Sequence, residues 1–351
     1  MVTPPELDES LLAGFSFACR PGCALCCFAE PAVTPAERPR LLRIAPDLEF
    51  RPGAAGLGFI PSRSDGGACR LLRDLRCSAH DARPFPCRTF PITVFLGSRP
   101  QATLVLSCPG LVLTTLASPP STPTPPAPVG LGPELESVRS ELGAPRAVRR
   151  ILGAQHEYDA ARRRLTAEGR WEDIGMNRGR IVERGLGRVR SSFPAPLPEE
   201  AEHGLDHLPF TFDGELGRVA FSGTPDGWRL IALQEEGGPG AVAGTYPEPD
   251  RPPRLEAGGQ ELLRGYLSYV LARESFSGQL MLRLLEDASG RMDESAEEEV
   301  GFIAADVLTR ASILERAHGR TGDRLDVEAV AAGIRATDAE VLDQPHVGDV
   351  L

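Results

Sequence analysis

All eight cysteines of this 351-residue chain lie between Cys19 and Cys108. They run Cys19-x3-Cys23-x2-Cys26-Cys27, then Cys69, Cys77, Cys87 and Cys108, and residues 109–351 contain none. Thiols at two- and three-residue spacings, with one adjacent pair, can turn several sulfurs toward one centre, as soft metal ions and iron–sulfur clusters require. Cys19, Cys23, Cys26, Cys27, Cys69, Cys77, Cys87 and Cys108 are therefore the candidate metal ligands.

An even number of cysteines also permits four disulfides. A disulfide scaffold belongs to a small exported chain, whereas the first residues, Met-Val-Thr-Pro-Pro-Glu-Leu-Asp-Glu, are acidic and lack an apolar export core. No apolar run is long enough to span a bilayer. Together these readings predict a cytoplasmic protein with reduced, metal-bound thiols.

The residues around the thiols carry a family resemblance. The stretch Cys69-Arg-Leu-Leu-Arg-Asp-Leu-Arg-Cys77-Ser-Ala-His80-Asp-Ala-Arg83-Pro84-Phe-Pro-Cys87-Arg88-Thr-Phe90-Pro91 resembles the YkgJ-type cysteine-cluster family, a zinc- or iron-chelating domain. That family's pattern opens with a Cys-rich box ending in Cys-Cys, here Cys19–Cys27. A Thr-x-x-Glu helix follows, here Thr34–Glu37, then a Cys-x-x-Leu…Cys segment, Cys69–Cys77, and an Arg-Pro-x-x-Cys-Arg-x-Phe-Pro box, Arg83–Pro91. Cys108-Pro109-Gly110 is similar to the Cys-Pro-Gly of longer members. Two features depart from the pattern: the first box is spaced x3 then x2, and His80 stands where Tyr is usual. His80 is a candidate for the shell around the ligands. What the resemblance implies is a bound iron–sulfur cluster, 4Fe-4S first, or zinc or iron ions. Cys19-x3-Cys23-x2-Cys26 also coincides with the spacing of radical S-adenosylmethionine enzymes, but their alternation of strands and helices does not follow here.

The rest of the composition frames those boxes. With 41% hydrophobic and 25% charged residues the chain has material for a packed core, and 37 Gly and 33 Pro predict long connecting segments. There is no lysine, so lysine chemistry is excluded. Residues 1–117 carry a formal charge of +2 and residues 118–351 one of −13. Metal-bound thiolates add negative charge, which Arg20, Arg70, Arg73, Arg76, Arg83 and Arg88 are placed to offset. A pI of about 5.2 and the lack of a basic stripe with aromatics argue against a nucleic-acid partner.

The elements that must position the thiols are legible in part. Thr34-Pro35-Ala36-Glu37 predicts a capped short helix through Ile44, weakened by Pro39. Thr93–Leu96 and Ala102–Ser107 predict a hairpin, turned by Gly97–Pro100, that carries Cys108 back toward the other thiols. A Pro-rich linker over 118–133 divides a cysteine-rich domain, 1–117, from a mostly helical one, 134–351. In the latter, helices are expected over 134–188, broken at Gly143-Ala-Pro145 and near Gly175. A β-hairpin follows over 218–233, then helices from Gln260, through 280–285 and 300–314, and a last one over Val327–Ile334 before a polar tail. Gly237-Gly-Pro-Gly240 lacks the helix that a nucleotide loop opens, and His203-x3-His207 with Asp206 is a second ligand-like group in a loop setting. The fold class is α+β, a small cysteine-rich metal-binding domain followed by a mostly helical domain with a β-hairpin.

Two functional classes follow. In one, clustered cysteines hold a cluster for electron transfer or for a protein partner. In the other, the layout is similar to flagellin lysine N-methylases, S-adenosylmethionine-dependent enzymes with a cysteine region joined to a larger helical part. A structural zinc module is the third. No catalytic residue is assigned in any of them.

Overall fold

A computed structural model describes residues 6–20, 23–28, 30–53, 56–63, 68–117, 128–195, 210–212, 217–224, 226–232, 241–287, 289–342 and 345–351. Short elements come first: β1 (Ala32–Val33), α1 (Arg38–Ile44), β2 (Arg51–Pro52), β3 (Gly58–Phe59), β4 (Leu72–Arg73), β5 (Arg76–Cys77) and α2 (Phe85–Thr89). β1, β3 and β2 form a small antiparallel sheet, and β4 and β5 a two-strand hairpin. The hairpin β6 (Ile92–Leu96) and β7 (Pro100–Leu104) follows, with Thr93 opposite Thr103.

Most of the remaining elements are longer. Helices α3 (Gly132–Leu142), α4 (Pro145–Ala167) and α5 (Arg178–Ser192) break where the sequence predicts, at Gly143–Pro145 and near Gly175. An antiparallel sheet comprises β8 (Phe210–Phe212), β9 (Gly217–Thr224), β10 (Gly227–Ala232) and β11 (Ala241–Tyr246). β12 (Arg254–Leu255), α6 (Ala257–Ala272), α7 (Glu274–Glu286), α8 (Met292–Ala317), β13 (Arg324–Leu325), α9 (Val327–Leu342) and β14 (Asp349–Val350) complete it. The fold is α+β, with small antiparallel sheets and a helical C-terminal part. No described helix is long and apolar enough to cross a membrane.

The hairpin joins the two parts. Ile92, Val94 and Leu104 lie in the same buried core as Leu262 and Tyr266 of α6 and Val307 of α8, so the main core draws on both sides of the Pro-rich segment. β14 pairs with β6 and extends this sheet. A separate small core, around Val33, Leu41, Ile60 and Leu71, sits among the cysteine boxes. A third has Phe221 and Trp228 edge to face at 5.4 Å, packed on Ile313 of α8 and Ala336 of α9.

Two expectations are corrected. Residues 35–37 form a turn and α1 starts at Arg38, which puts Pro39 in the first turn, where its missing N–H costs nothing. The last helix does not stop at Ile334 before a polar tail; it runs to Leu342. The polar residues that suggested a tail, Thr337 and Asp338, are buried and paired inside the core. The Pro-rich residues 118–127, His203, His207 and Gly237–Gly240 lie outside the described residues.

Candidate metal centre

Each cysteine box is held by a local device. Thr34 N–H and its hydroxyl both donate to Glu37 Oε2, at 3.0 and 2.9 Å, so the Glu37 half of the expected capping box forms, over the turn ahead of α1, whose N-cap is Glu37 and not Thr34. Glu37 is buried, and its other oxygen accepts the Phe85 N–H at 2.9 Å, satisfying the first free donor of α2, the helix that carries Cys87. Arg88 completes this tie at 3.4 Å from the same oxygen. The β4–β5 hairpin turns on Asp74 and Leu75, both left-handed at φ 47° and 57°, the geometry of a two-residue hairpin loop. That turn sets Cys77 opposite Leu72, while the Cys69 N–H donates to the Cys27 carbonyl at 2.6 Å. Two boxes distant in sequence are thereby joined at the backbone.

Cys108 is held from the opposite side. Ala18 N–H donates to the Gly110 carbonyl, and a Cβ on Gly110 would fall 2.6 Å from the Ala18 carbonyl, so only glycine permits this approach beside Cys19. From α9, Arg335 donates to the carbonyls of Leu106, Cys108 and Leu111, and Ala339 N–H donates to Ser107 Oγ. Asp338 accepts the Leu106 N–H at 2.7 Å and an Arg273 N–H at 3.1 Å. Its other oxygen stands 2.8 Å from Arg273 Nη1, close enough for ion pairing though not aligned as a hydrogen bond. Arg335, Asp338 and Ala339, three residues within little more than one turn of α9, thus clamp the loop that bears Cys108.

None of the eight cysteines is in a disulfide, and six of the other seven act electrostatically on Cys26 or respond to it. Two neighbourhoods overlap there. Cys27, Cys69, Cys77 and Cys87 influence one another on one side, and Cys19, Cys23 and Cys108 lie on the other. A hydrogen bond from Cys27, assisted by the Arg83 guanidinium, holds the Cys26 thiol down at about 7. The same bond, followed by burial, pushes Cys27 well up. Burial raises Cys69 to about 11 and Cys108 to about 12, and raises Cys19, Cys77 and Cys87 as well. Without a metal most of these thiols keep their protons, and a cation must displace them.

Among the described residues no three His, Cys, Asp or Glu side chains converge on a point that would hold a metal ion. The donor set itself, eight sulfurs with Arg83, Arg63 and Arg335 acting on them, has the chemistry of a soft-metal site. Residues 18–109 match the family model CxxCxxCC, described as a putative zinc- or iron-chelating domain. This segment is a cysteine-cluster domain of that family. The match spans all eight cysteines, and it supports metal binding through them. No curated protein and no solved structure matches the chain.

The arginines around the cysteine-cluster domain divide differently from the sequence expectation. Arg83 acts on Cys19, Cys26, Cys77 and Cys87, the role expected of it. Arg88 is taken by Glu37, Arg70 lies 4.0 Å from Glu49, and Arg73 and Arg76 are exposed across the β4–β5 hairpin. Arg20 faces Arg335 instead. Arg335, more than 220 residues from Cys108, is the group that sequence reading misses; burial lowers it to about 10, and Cys108 and Cys23 oppose that shift. His80 is exposed, 3.5 Å from Asp81.

Proposed function

We propose that the cysteine-cluster domain holds an iron–sulfur cluster, 4Fe-4S first, and carries electrons or keeps the cluster for a protein partner that docks on residues 134–351. The observation that carries this reading is the gathering of six other cysteines around Cys26, with none of the eight in a disulfide. Four sulfurs suffice for one cubane, so Cys27, Cys69, Cys77 and Cys87 form one ligand set and Cys19, Cys23, Cys26 and Cys108 a second. Arg83 and Arg335 then offset thiolate charge from opposite sides, which raises the potential at which a bound cluster accepts an electron. The match at residues 18–109 and the YkgJ-type boxes support metal chelation.

Purification without oxygen, followed by iron, zinc and acid-labile sulfide analysis, tests the reading. Brown protein with iron and sulfide in equal amounts is expected. Colourless protein with stoichiometric zinc would leave the ligands in place and remove the cluster. S-adenosylmethionine is expected not to raise the melting temperature, since a ligand of the native state would raise it by mass action.

A further inference from the structure

Beside the thiols lies a cleft of about 600 Å³. Its floor is one face of the β6–β7 hairpin, through Thr93, Thr103 and Val105. One wall belongs to the cysteine-cluster domain and presents Leu25, Phe59, Cys26 and Cys87. The other comes from the helical part, with Ser275 of α7 and Ala339 and Leu342 of α9. The volume falls in the range of roughly 300–1,000 Å³ that accommodates small organic molecules.

The lining selects the class of occupant. Among the described residues no arginine lines the cleft, and the chain has no lysine, so an anionic group would be desolvated with little to meet it. Glu30, the carboxylate among the described lining residues, is already engaged by Arg51 and by the Ser62 N–H. His346, the imidazole among them, packs edge-on against Phe95 at 5.0 Å. A neutral apolar body, by contrast, gains about 25 cal/mol for each Å² removed from water. The Thr93 and Ser275 hydroxyls supply one or two polar handles.

We propose that this cleft binds a neutral, mostly apolar organic molecule and holds it against Cys26 and Cys87. The site is built from protein atoms of three segments that meet only in the folded chain. Its occupancy therefore stands apart from the identity of the metal. A nucleotide, a phosphate ester or a carboxylate is excluded by the same lining. Bound there, the molecule contacts the edge of the thiol cluster, where a metal centre would sense it.

Titration of the full chain, as purified with its metal, with the neutral dye Nile red tests the proposal. One saturable site is expected. Ala339→Phe and Thr93→Phe should each weaken it at least about tenfold, a change in affinity well outside titration error. The smaller Ala339→Leu serves if a Phe variant fails to fold, and Leu152→Ala, on the exposed face of α4, should leave binding unchanged. Octanol should displace the dye and octanoate should not. Absence of a saturable site, equal binding by the filled variants, or equal competition by octanoate would each overturn the proposal. Metal content measured alongside separates this outcome from failure of the cluster reading.

Discussion

Between Cys19 and Cys87 the strands are two residues long, the helices five and seven, and the separate core rests on a few side chains such as Val33, Leu41, Ile60 and Leu71. Between Ala257 and Leu342 the helices α6, α8 and α9 are 16, 26 and 16 residues long, and their buried faces share one large core. The second region shares a large apolar core with the β6–β7 hairpin. The first has only the small core, and is expected to lean on polar ties such as Glu37, on the α9 clamp, and on whatever its thiols bind. The comparison teaches that the metal end of the molecule is held from two sides, and each support is separately removable.

Metal removal should give the largest difference. Chelation under reducing conditions is expected to release protection of backbone amides from Cys19 to Cys87 in hydrogen exchange, while α5, α6, α8 and α9 stay protected. Structural thiolate sites supply about 10 kcal/mol or more, so the loss should be complete within that segment. Uniform protection in both regions after full metal loss would show that the small core suffices unaided. Replacing Cys26, Cys27 or Cys87 by Ser should abolish metal retention in the same way.

Asp338→Ala tests the tie between the regions. It leaves Arg273, 1% exposed, without its carboxylate and orphans the Leu106 N–H, so urea unfolding should show a loss of about 3–5 kcal/mol. Arg335→Ala is next: three carbonyls lose their donor, about 1–3 kcal/mol. Faster exchange should then be confined to residues 106–113, with the far ends of α6 and α8 unchanged. Exchange spreading across α8 would mean that Arg335 supports the helical core rather than the Cys108 loop.

Smaller effects test single positions. Leu75→Gly should stabilise the β4–β5 hairpin by about 1 kcal/mol, since Leu75 is left-handed at φ 57° and glycine adopts that conformation without strain. Glu274, at the start of α7, is raised above the ordinary carboxylate value by burial, although Ser98 donates to it. A raised carboxyl contributes stability that is full below its unfolded value and is lost as pH climbs through the folded one. The melting temperature of Glu274→Gln relative to the parent should therefore improve between pH 4 and pH 7. An unchanged difference would show that the Ser98 bonds fully offset the desolvation.

Much of the local structure was readable because a few neighbouring residues decide it. Gly143-Ala-Pro145 broke α3 from α4, Gly97–Pro100 turned β6 into β7, and Thr34 with Glu37 capped the approach to α1. Each signal rests on backbone geometry that glycine, proline or a short polar side chain imposes within four residues. The end of α9 was not readable, because Thr337 and Asp338 look like a solvated tail until Asp306 and Arg273 are found beside them.

The sequence by itself determined which atoms could bind metal, in what order, and within which family pattern. Thiol spacing is a covalent property, and it survives any fold. Only the tertiary structure decided that Glu37 caps the Cys87 helix, that Arg83 and not its five neighbours enters the thiols, and that Arg335 holds the Cys108 loop. Only it opened a cleft between a hairpin, a cysteine box and two distant helices. Those pairings join residues tens to hundreds of positions apart, and a buried charge has no local signature. Its partner is fixed by desolvation, which penalises every arrangement except the one in which the charge is met.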